Sequence, residues 1–110
     1  MKIEVTKNDA TVDSKVLCDN TYTATVVESE RKPAYRNNRC TGDNAFVKLE
    51  CGEYVVSLSM FDVDGWGGFD ANQYLKLEEH LASKQFVITF GRCSNGKPFI
   101  KEAKKHETQN

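Results

Sequence analysis

Residues 53–105 hold a β-like run, a helical stripe, and two further β-like runs joined by a turn. This order constrains the fold more than any other feature of the chain. In Glu53–Phe61, Tyr54, Val56, Leu58 and Met60 alternate with Val55, Ser57, Ser59 and Phe61, the period-2 pattern of a strand with one apolar face. Asp70–Lys84 places Tyr74, Leu77 and Leu81 on one stripe, widened by Leu75 and Ala82, and so reads as an amphipathic helix. Asp70 is its expected N-cap, with Gln73 in the capping-box position. Gln85–Cys93 is a second apolar run. Ser94–Lys97 contains Asn95-Gly96, a two-residue hairpin signal, and Pro98–Lys104 returns as the partner strand.

Upstream, Thr21–Glu28 (TYTATVVE) is rich in β-branched residues and reads as the first strand of the domain. Ala45–Cys51 alternates as the second, and a tight turn at Cys51-Gly52-Glu53 joins it to the third. Between them Ser29–Asn44 reads as a long polar connection, with Pro33 and Gly42 as breakers. Connections of that length are usually functional. Residues 1–20 are weakly patterned, with Ile3, Val5, Val12, Val16 and Leu17 sufficient for a short strand and an edge segment. Residues 105–110 form a polar tail. A chain of 110 residues is expected to be one domain, residues 1–104, with a single core.

The four cysteines, Cys18, Cys40, Cys51 and Cys93, form no C-x-x-C pair and match no zinc spacing. The first residues lack the apolar run of a signal peptide, and no stretch approaches the length of a membrane span. A cytoplasmic, reducing compartment with free thiols is therefore expected, Cys51 and Cys93 acting as small buried hydrophobes. The net charge of −1 argues against a protein that coats nucleic acid by charge alone. Its distribution is uneven: residues 31–49 carry +4, residues 92–105 carry +4, and residues 50–80 carry −6.

Enzyme signatures are missing: there is no phosphate-binding loop, nucleophile elbow or zinc-protease motif. His80 on the helix and His106 in the tail read as solvated surface histidines. Asp62-x-Asp64-Gly65 begins like a calcium loop but has Gln73 where the closing glutamate belongs. A non-enzymatic binding module with no metal or cofactor is the expectation. The 31–44 segment is the leading site, because Arg31, Lys32, Arg36 and Arg39 surround Tyr35, and cation plus aromatic is the combination that tracks phosphates and stacks bases. Phe46 and Lys48 share the outward face of the second strand. Arg92, Lys97 and Lys101 flank the final turn. Trp66, between glycines, has two readings: a base-stacking side chain on a loop, or a cover for the end of the core.

Tyr54–Phe61 (YVVSLSMF), the helix, Phe86–Arg92 (FVITFGR) and Asn95–Lys101 (NGKPFIK) together resemble the second half of an OB-fold nucleic-acid-binding domain. The pattern is similar to the OB domains of replication protein A and of the alpha subunit of bacterial DNA polymerase III. The resemblance covers about residues 54–104, with support from 21–51. It implies an all-β fold with one helix: a five-stranded Greek-key OB-like barrel with the helix between strands three and four. It also implies single-stranded DNA or RNA as ligand, bound with modest, salt-sensitive affinity. A protein partner, as for an accessory subunit or an inhibitor of a host complex, is the alternative; the near-neutral charge and the acidic 50–80 segment favour it. The acidic, Phe-tipped tail usual in bacterial single-strand-binding proteins is absent from the last residues of the chain.

Overall fold

Alternation decides which residues face inward, and the strand registers stack those residues into one core. The structure, a computed structural model, describes residues 1–65 and 68–106, the side chains of Arg36 and Thr41 excepted. These residues form a single antiparallel sheet curled into a half-barrel, with one α-helix among them. In chain order the elements are β1 (Lys2–Lys7), β2 (Ala10–Val12), a 3₁₀ turn η1 (Ser14–Leu17), β3 (Thr21–Arg36), β4 (Arg39–Cys51), β5 (Tyr54–Met60), α1 (Phe69–Glu78), β6 (Gln85–Arg92) and β7 (Pro98–Lys105). The seven strands are ordered β2-β1-β5-β4-β3-β6-β7. The inward residues meet across neighbours: Val5 opposes Val56, Val56 opposes Leu49, and Leu49 opposes Val26. Beyond them Phe86, Ile88, Phe90 and Ile100 are fully buried. Each such side chain contributes roughly 1.5–3 kcal/mol of burial.

Several sequence expectations change. The sheet has seven strands rather than five, because the weakly patterned residues 1–20 supply β1, β2 and η1. Val5 and Leu17 are buried in the core, so a few apolar residues suffice once β5 offers an edge to pair with. The 29–44 connection is not a loop. It is a two-stranded ribbon paired from Ser29↔Val47 to Arg36↔Arg39 and closed by Asn37-Asn38, whose φ values of 52° and 64° fit a type I′ turn. A bulge at Val27 bends β3, after which the strand pairs with β4 alone.

The helix is Phe69–Glu78, shorter than the sequence pattern, and Gly68 rather than Asp70 is the N-cap. The Asp70 carboxylate instead accepts from the Phe61 N–H at 2.8 Å and pairs with the Met1 amino group. Past Glu78 the chain continues in short turns. His80 is not a solvated surface side chain: it is buried and stacks on Phe86, with centroids 5.7 Å apart. The final hairpin forms as expected, but its turn is wider than two residues. Cys93 N–H bonds to the Lys97 carbonyl and Gly96 N–H to the Cys93 carbonyl, with Gly96 at φ 83°. β7 reaches Lys105, one residue into the segment read as tail. No helix among the described residues is long and apolar enough to cross a membrane.

Candidate binding surface

The candidate residues separate into three places. The first is the outer face of β3, β4 and β5. Here Phe46 is half-buried and meets Phe61 edge-on at 6.4 Å, and the Lys32 ammonium lies 5.8 Å from the Phe46 ring centre. Lys48 stands two residues along on the same face, opposite Glu28 on β3 and Ser57 on β5. A groove of about 330 Å³ runs between them, lined also by Glu30 and Ser59. The cations are not alone: Lys32 pairs with Glu30 at 3.4 Å, and Glu28 and Glu50 share the face with Lys48.

The second place is the β3–β4 ribbon. Arg31 lies on the opposite face of β3 from Lys32. Its guanidinium is 2.9 Å from Asp43 and 2.6 Å from Asp64, and it sits 5.5 Å from the Tyr74 ring centre. The hydrogen bond to Asp64 holds the guanidinium pKa above its ordinary value. The acidic 62–65 turn therefore serves as a clamp on the ribbon: Asp64 also accepts from Asp43 N–H at 3.1 Å, and Val63 N–H bonds to the Asp43 carbonyl at 2.9 Å. No group of metal-ligating side chains occurs among the described residues. Tyr35 is 69% exposed and Arg39 exposed near the ribbon tip. The backbone of Arg36 ends β3; its side chain and Trp66 lie outside the described parts.

The third place holds Arg92, Lys97 and Lys101, all exposed. Arg92 pairs with Asp19 at 3.1 Å, just before β3 begins. Arg31 lies twelve residues farther along that strand, a contour of roughly 40 Å at ~3.3 Å per residue. The longest dimension of the molecule is 48 Å. The two basic segments thus lie toward opposite ends of β3.

The carboxylates Glu28 and Glu30 are the residues that sequence reasoning passed over. Their signal was the parity of β3: Glu28, Glu30 and Lys32 alternate, which becomes legible once 29–44 is recognised as strand. Phe61, 49% exposed, was likewise passed over as the neighbour of Phe46. Comparisons with protein-family models, with curated proteins and with solved structures each found no match.

Proposed function

We propose that this chain is a non-enzymatic binding module of the OB type that engages a protein partner through the outer face of β3, β4 and β5. Two kinds of support bear on the fold. The strand order β5-β4-β3-β6-β7 is the order that an OB barrel would give its strands three, two, one, four and five. The helix follows β5, where that fold carries one. β1 and β2 then extend the edge of strand three.

The observation that carries the partner class is the charge balance around Phe46. An aromatic centre is ringed by Lys32, Lys48, Glu28 and Glu30, so the face has no net positive field. A phosphate chain needs that field, because neutralising phosphates supplies most of its affinity. Aromatic side chains inside a mixed-charge rim are instead the anatomy of a protein–protein contact. Affinity capture from nuclease-treated extract, comparing the wild-type chain with Phe46→Ala, tests this. The expected result is a stoichiometric protein held by the wild type and lost from the variant; an identical captured set from both overturns the proposal.

Single-stranded DNA or RNA is the second reading. It draws on the Lys32 ammonium over the Phe46 ring and on exposed Tyr35, a stacking platform with cations beside it. A labelled oligonucleotide decides it. Binding at about 50 mM salt that weakens steeply as salt rises and is lost in Lys48→Glu supports this reading, and no binding removes it.

A further inference from the structure

Residues of β1 and β7 line one cleft, and among the described residues no main-chain ladder joins the two strands. η1 packs against both strands and fills part of the seam with fully buried Leu17. The remainder is a cleft of about 400 Å³, lined by apolar Met1, Ile3, Phe69 and Pro98, by Lys2 and Lys97, and by Cys93. Phe69 is 54% exposed there, although it is a large apolar side chain at the start of a helix.

Two observations define what fits. β2 pairs with β1 only over residues 5–7, so on the side away from β5 no strand among the described residues neighbours the main chain of residues 2–4. Such an edge takes an extended peptide, which supplies a matching ladder of N–H and C=O groups; a nucleic-acid strand has none to offer. The second observation is charge. Lys2 and Lys97 line the cleft, and the Lys15 side chain lies beside the adjoining turn at Gly96. Of the carboxylates near the cleft, Asp70 pairs with the Met1 amine, Glu4 pairs with Lys2 at 3.1 Å, and Asp13 accepts from the Lys15 N–H at 3.0 Å. Lys15 and Lys97 have no ion-pair partner among the described residues.

We propose that this seam receives an extended acidic peptide from a partner protein. The peptide adds a strand along residues 2–4, sets one apolar side chain against Ile3, Phe69 and Pro98, and directs its carboxylates to Lys15 and Lys97. This site is separate from the outer face around Phe46 and does not rest on the reading given to that face.

The test uses the full chain carrying Cys40→Ser, which removes the exposed thiol and leaves Cys93 as the accessible one beside buried Cys18 and Cys51. The probe is a short fluorescent peptide of aspartate and glutamate with one central leucine. The expected result is saturable binding, weakened about tenfold in Lys97→Glu and unchanged in Phe46→Ala, with slower reaction of Cys93 toward a thiol reagent when the peptide is bound. No saturation up to about 1 mM peptide overturns the proposal, as does binding that ignores Lys97→Glu, leaves Cys93 unprotected or is lost in Phe46→Ala.

Discussion

The side-chain carbonyl of Gln73 accepts a hydrogen bond from the Ile100 N–H at 2.6 Å, and Lys76 Nζ, three residues on, donates to the Ile100 carbonyl at 3.0 Å. β7 is the last strand of the sheet, and among the described residues it has no strand neighbour on its outer side. At Ile100 the helix supplies through two side chains what another strand would supply through its backbone. Buried main-chain groups require such partners, which explains why a glutamine that is 2% exposed lies in an otherwise apolar interface. Asp70, on the same helix, ties down the end of β5 and the chain start.

Replacing Gln73 by Leu keeps the volume approximately but leaves the Ile100 N–H buried without an acceptor. The expected cost is about 1–3 kcal/mol in urea unfolding, with faster amide exchange at Ile100. An unchanged midpoint would show that water or another group takes the acceptor's place.

Gly91 on β6 lies opposite Phe99 on β7, and a Cβ at Gly91 would sit 2.6 Å from the Phe99 ring. Gly91→Ala should therefore destabilise by about 1–3 kcal/mol through overpacking. Combining it with Phe99→Ala should cost less than the sum of the two single changes, read as a coupling in a double-mutant cycle.

The Arg31–Asp64 pair is short, but its side chains are 35% and 50% exposed, so solvent screens it. Arg31→Met should lower global stability by no more than about 1 kcal/mol. Its larger effect should be local: amide exchange at Asp43, held by Asp64, should quicken. High salt should reduce the difference between variant and wild type.

Burial pushes the Cys51 thiol up to about 12 from an ordinary value of 9.0. Below pH 9 both folded and unfolded chains keep that proton, and the contribution to stability is whole. Between about 9 and 12 the unfolded chain releases it while the folded chain holds it, so stability falls as pH rises, by up to about 1.4 kcal/mol per pH unit. Cys51→Ala should flatten this alkaline slope while lowering stability at neutral pH. An unchanged slope would assign the loss to other groups.

Much of the fold was legible. The inward positions of β4 and β5, the turn at Gly52, and the order of helix and strands after residue 53 follow from period-2 and helical patterning, which depends on near neighbours in the chain. The ribbon at 29–44 was not, because its polar composition hides alternation when both faces are wet; only Asn37-Asn38 marks the turn. Asp70 and His80 misled for a different reason. A capping residue and a surface histidine are local expectations, and both were overridden by distant partners, Met1 and Phe86.

By itself the sequence determined which side chains face the core, since alternation is a property of consecutive residues and a wrong face would put apolar groups in water. It also determined that cations cluster near residues 31–39 and 92–105. Only the tertiary structure decided what those charges meet. Arg31 is matched by Asp43 and Asp64, Lys32 by Glu30 and Arg92 by Asp19, while Lys97 and Lys15 are left at an open seam. The field at a surface is a sum over groups brought together by pairing and curling. It is set by distances through space, which the linear order of charges does not contain.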